Sequence, residues 1–212
     1  MDVVFEQSLD DSPDAPNTIF SLIEATALNR EDVMNIRSSF LLNADTTMVR
    51  VTINRLAAME CASILVKFVL PRSVESIAII KVSLTEGSTF INLLEKGRPP
   101  VQVDVMDVRV ITGESDVRAR VAKDLRVGGS VGKIQGDLVV GQDFAVTMVD
   151  GHVAVNLTPA SGKIDGKVIV SNGNIRVGLV SVTKYQLYMF VTDFLSVSDS
   201  VDCSMTAPYL RR

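Results

Sequence analysis

Gly132-Lys133-Ile134-Gln135-Gly136-Asp137-Leu138-Val139-Val140 returns thirty residues later as Gly162-Lys163-Ile164-Asp165-Gly166-Lys167-Val168-Ile169-Val170. Both copies place Gly, Lys, Ile, Gly and a closing Val at the same offsets, and each is followed by turn residues and another β-branched run. Between them lie Phe144 to Val149, then Asp150-Gly151, then His152 to Leu157. Asp-Gly between alternating apolar residues signals a hairpin, because both turn positions tolerate positive φ. Asn172-Gly173 gives a second such turn. The stretch therefore predicts an antiparallel meander over residues 128–197.

Working outward, 212 residues suit one large domain or two small ones, and they suffice to bury a core. Hydrophobic residues at 47% and charged residues at 22% fit a folded chain, while heavy valine use with no Trp favours strands. The net charge of −4 supplies no global basic field for nucleic acid or anionic lipid. Met1 to Asn17 carries Glu6, Asp10, Asp11 and Asp14 but no Lys or Arg, unlike the basic start of a secretory leader. Leu56 to Leu70 is too short for a spanning helix and contains Glu60 and Lys67. Cys61 and Cys203 form no framework and read as two reduced thiols. The expectation is an intracellular, soluble protein without a transmembrane segment.

Residues 1–16 end in Ser12-Pro13-Asp14-Ala15-Pro16 and read as a flexible acidic arm. Helices are expected from Thr18 to Ala27, capped by Asn17, and again from Asn29 to Asn43. Met48 to Asn54 alternates as a strand. Residues 56–67 lean to helix, followed by a strand that ends at Pro71. Ser76 to Leu84 reads as a strand and Ser88 to Lys96 as a short helix closed by Gly97. Val101, Val103 and Val105 lie on odd positions, whereas Val108 and Val110 lie on even ones. That switch predicts a β-bulge near Met106-Asp107. Residues 116–125 fit a helix bearing Val117, Val121 and Leu125, and a strand nearly as well. Tyr185 to Val197 is apolar on both parities, as in a central strand. Residues 198–212 form a polar tail.

The candidate chemistry is sparse. Gly128-Gly129-Ser130-Val131-Gly132-Lys133 approaches a phosphate loop, but Val127 and Ile134 stand where a Walker loop needs Gly and Ser or Thr. Ser130 and Lys133 match an acyl-enzyme spacing that requires a helical turn, which the glycines disfavour. His152 is the sole histidine and follows a turn, so it reads as a surface residue. Asp104 and Asp107 offer an acid–base pair, or outward charges that discourage edge pairing. Arg109, Arg118, Arg120, Lys123 and Arg126 form the densest basic stretch, a candidate contact for a phosphate backbone or another subunit. No cofactor or metal site is indicated.

The glycine-spaced, valine-rich unit resembles filament-forming β-solenoids. Their coils repeat many times at a shorter period, and two copies at thirty residues do not fit that pattern, so the antiparallel reading stands. The expected fold is mainly β with some α, an α+β antiparallel sandwich or barrel-like meander with helices concentrated in the N-terminal half. Residues 17–127 form its mixed α+β part. The expected function is a non-catalytic structural protein that self-associates as a homo-oligomer, on the pattern of viral capsid or matrix subunits. The alternatives are a β-sandwich binding module, with Tyr185, Tyr188 or Phe190 lining its site, and an enzyme with a dispersed carboxylate site.

Overall fold

A computed structural model describes residues 1–7, 20–27, 37–43, 48–54, 62–71, 73–94, 99–160, 165–179 and 186–193. They form ten strands and, among the described residues, no helix. The strands are β1 (Asp2–Gln7), β2 (Phe20–Ala27), β3 (Arg37–Asn43), β4 (Met48–Asn54) and β5 (Ala62–Leu70). They continue with β6 (Ser76–Asn92), β7 (Gln102–Val140), β8 (Asp143–Pro159), β9 (Asp165–Leu179) and β10 (Gln186–Asp193). Eight of them make one sheet in the order β10-β9-β8-β7-β6-β1-β5-β2, and β3 pairs with β4 in a separate two-stranded sheet. Every pairing in the large sheet is parallel except the last, between β5 and β2.

The length of β7 shows what this sheet is. Laid straight, its 39 residues would reach about 130 Å. Instead β7 winds over itself: Lys123 reaches Asp104, and Gln135 reaches Asp116, each 19 residues back. The same step of 19 carries Asp124 in β7 onto Asp143 in β8. It becomes 22 from Asp143 to Asp165 and 21 from Asp165 to Gln186. The chain is a β-solenoid, with one sheet rolled into stacked coils.

Each coil has two arms. In the first coil of β7 the inward side chains are Met106, Val108 and Val110, then Ser115, Val117, Ala119 and Val121. The change from even to odd positions falls at Thr112-Gly113, where the chain turns a corner. Gly87, Gly113, Gly132, Gly151 and Gly173 occupy this corner in successive coils, all with φ between +134° and +147°. A Cβ on any of them would overlap the backbone carbonyl one coil below, so only glycine lets the coils close to strand spacing.

The core is a set of columns running along the axis. Val82, Val108, Val127, Val146 and Val168 make one of them, each buried. Volumes compensate between levels. Phe144 sits between Leu125 and Gly166 and fills the space that a Cβ on Gly166 would need.

This overturns the α+β antiparallel sandwich or meander. Asp150-Gly151 and Asn172-Gly173 do carry the positive-φ glycines a turn requires. They turn coil corners, however, and the strands beside them pair with neighbouring coils and not with each other. The expected helices also give way. Residues 20–27 are β2, 37–43 are β3, 62–67 belong to β5 where a helix was expected, 88–92 belong to β6, and 116–125 lie within β7, as the strand reading had it. The shift near Met106-Asp107 is real but lies one pair earlier. Both Ile77/Ile80 and Val103/Met106 switch parity together, so it is a bend shared by two coils and not a one-sided bulge.

Residues 2–7, the front of the expected arm, form β1 between β5 and β6. β10 is an edge strand of the sheet rather than a central one. The nine-residue repeat is not a structural repeat: Gly136 pairs with Val155 in the second arm, whereas Gly166 pairs with Phe144 in the first. Residues 8–19, the stretch 56–61 with Cys61, Tyr185, Cys203 and the tail 198–212 lie outside the described residues.

Candidate functional site: outer faces and solenoid ends

With the inward side chains committed to the core, any recognition falls to outward residues and to the two ends. The five basic residues are distributed around the coil. Arg109 and Arg126 project from the first arm, Arg118 and Arg120 belong to the second, and Lys123 lies at the corner between them.

Four of the five hold a carboxylate. Arg109 Nε meets Asp107 Oδ1 at 3.2 Å, Arg126 Nη2 meets Asp124 Oδ2 at 2.8 Å, Arg118 Nε meets Asp116 Oδ1 at 3.5 Å, and Lys123 Nζ meets Asp104 Oδ2 at 2.8 Å. The arginine partners stand two residues apart on one strand, which places both side chains on one face. These bridges are exposed and contribute little to stability, roughly 0.2–1 kcal/mol each. Their consequence is electrostatic, because each cation is locally neutralised and the field toward a phosphate backbone is weak. Asp104 and Asp107 are each held by cations, Asp107 also by Lys81 at 4.0 Å.

Gly128 to Lys133 is extended strand inside β7, with its corner at Gly132, and no helix follows to face a phosphate. Ser130 and Lys133 flank that corner and share no helical turn. His152 is exposed beyond the next corner and its Nδ1 lies 3.1 Å from Asn174 Nδ2 in the following coil. Among the described residues no group of three or more His, Cys, Asp or Glu is placed to hold a metal ion. Among the described residues there is no helix long and apolar enough to cross a membrane.

Two features escaped the reading of the sequence. Asp124, Asp143 and Asp165 stand in register in three successive coils, making a column of like charge. Beside it, Gly128 leaves an outward position of the first arm without a side chain, while Gly129 faces inward against Met148. The result is an open groove of about 790 Å³ bordered by Asp107, Arg109, Asp124, Arg126, Asp143 and Lys167. Its rim balances three carboxylates against three cations. Aspartates 19 and 22 apart were the available signal, but their meaning depends on knowing the coil length.

The ends of the solenoid differ. On the second arm, β1, β5 and β2 extend the stack beyond β6, and β2 runs antiparallel to the rest. At the other end β10 covers the first arm of β9, from Asp165 to Asn172. The second arm of β9, Asn174 to Leu179, is paired on one side only among the described residues. Its inward residues Ile175, Val177 and Leu179 are only partly buried, whereas Val153, Val155 and Leu157 one coil below are at most 2% exposed. No protein-family model matches this chain, and neither does any curated protein or solved structure in the comparisons made.

Proposed function

We propose that this chain is a structural subunit that self-associates through the ends of its solenoid. The observation that supports the reading most is the second arm of β9, where among the described residues the strand edge has no partner beyond β8 and the apolar column residues are only partly buried. Such an edge is a template for pairing with another chain. The regular stack, its corners fixed by glycine, suits a load-bearing element. The analogy to viral shell subunits rested on a sandwich and loses its basis with that fold. Sedimentation velocity on the full chain, from low to high micromolar concentration, tests the proposal. Growth of the sedimentation coefficient with concentration supports it, and a constant monomer value rejects it.

A second reading has one specific observation behind it. The groove at Gly128-Gly129 runs across coils and offers alternating acid and base, which suits a polar polymer better than a compact apolar ligand. Filling it with Gly128→Arg, at a position whose φ is not in the left-handed region, abolishes such binding in a pull-down with polysaccharide or nucleic acid.

A further inference from the structure

We infer that copies of this chain join head to tail along the solenoid axis, with the outer edge of β2 on one copy pairing antiparallel with the Asn174–Leu179 edge of β9 on the next. This rests on the self-association proposed above and specifies its surfaces and polarity.

Register carries the argument first. Leu22 pairs with Lys67, Lys67 with Val4, Val4 with Phe90, and Phe90 with Asp116. Gln135 hydrogen-bonds Asp116 from the next coil, Gln135 pairs with Ala154, and Ala154 with Arg176. Leu22 and Arg176 therefore mark the two ends of one outward column on the second arm. By the same pairings Glu24 shares the column of Asn174. Stacking one copy on the next sets Glu24 diagonally across from Arg176, two residues along, within reach of an arginine side chain. Both residues are exposed in the single chain.

The second argument is polarity. β2 runs opposite to β5 and hence to every coil strand, so the edge it leaves unpaired among the described residues meets β9 as an antiparallel partner. Of this pair, joints between like ends supply only Arg176 or only Glu24, and the unlike joint alone supplies both signs.

The third is shape. Among the described residues the first arm carries one strand beyond β9 and none before β6, while the second arm carries three before β6 and none beyond β9. The three-strand projection of the second arm is deeper than the one-strand recess it meets, so the joint seats β2 on β9 and leaves the first arms two strands apart. A heterologous joint of this kind does not close and gives open filaments.

The test is a charge swap on the full chain, read by sedimentation velocity at low salt with far-UV circular dichroism as the check on folding. Glu24→Arg alone and Arg176→Glu alone are each expected to weaken association roughly fivefold, and the double variant to return to within about twofold of the parent. Association unchanged by Glu24→Arg, or particles that stop at dimers, overturns head-to-tail joining while leaving self-association in place. A parent chain that stays monomeric removes both.

Discussion

Gly132 stands directly over Gly113, and a Cβ on the upper residue would overlap the carbonyl oxygen of the lower. The same relation links Gly151 to Gly132 and Gly173 to Gly151, so each coil's corner is seated on the one before. Replacing Gly132 with Ala therefore requires both a disfavoured φ of +136° and separation of two coils. We expect a loss of about 2–4 kcal/mol in chemical denaturation. Gly128→Ala, in the same strand at a φ outside the left-handed region, is expected to cost under about 1 kcal/mol.

Thr89 gives an opposite prediction. It lies in the inward column continued by Ser115, Ile134 and Val153, is 2% exposed, and its hydroxyl has no hydrogen-bond partner. Thr89→Val keeps the shape and removes the unsatisfied group, so the chain is expected to gain about 1 kcal/mol of stability. A destabilised variant in the same denaturation assay would show that the hydroxyl is held.

Leu125 is fully buried between Met106 and Phe144 in the first arm. Leu125→Ala opens a cavity in a stack that cannot collapse along its axis and is expected to cost about 2–5 kcal/mol. Val131, 50% exposed beside the glycine corner, is expected to tolerate Thr within about 0.5 kcal/mol. Thermal melts of the two variants compare core with rim directly.

The aspartate column predicts a salt-dependent gain. Asp143 stands between Asp124 and Asp165 at strand spacing, and like charges placed opposite are unfavourable. Asp143→Asn is expected to stabilise by a few tenths of a kcal/mol at low ionic strength, about the size of one cross-strand charge pair. The gain shrinks as salt is raised, because the pair is exposed. Melting temperature measured across a salt series checks both parts.

How much of this could be read from sequence depends on which features are local. Corner glycines at Asp150-Gly151 and Asn172-Gly173 were legible, since positive φ is a property of the residue itself. What their flanking strands pair with is not local, and the same dipeptide serves a hairpin or a coil corner. Val117, Val121 and Leu125 are four apart, a spacing that a helix and a strand both accommodate, so the helix reading of 116–125 had no internal contradiction. The glycines at 113, 132 and 151 do repeat at 19, but the nine-residue match at thirty drew attention to segments on different arms. The basic cluster looked continuous in sequence because consecutive residues face outward from different arms. The partial burial of Ile175 to Leu179 carried no sequence signal, since it depends on pairing between coils.

The parallel coil is the claim on which the rest stands, and a pair of spin-label distances tests it most directly. Thr147 pairs with Ile169 one coil above, whereas an antiparallel hairpin turning at Asp150-Gly151 would set Thr147 against Ala154. With Cys61 and Cys203 replaced by Ser, labels at 147 and 169 are predicted to show strong dipolar broadening from neighbours one strand apart, and labels at 147 and 154 to show none. Broadening at 147 and 154 with none at 147 and 169 would contradict the solenoid.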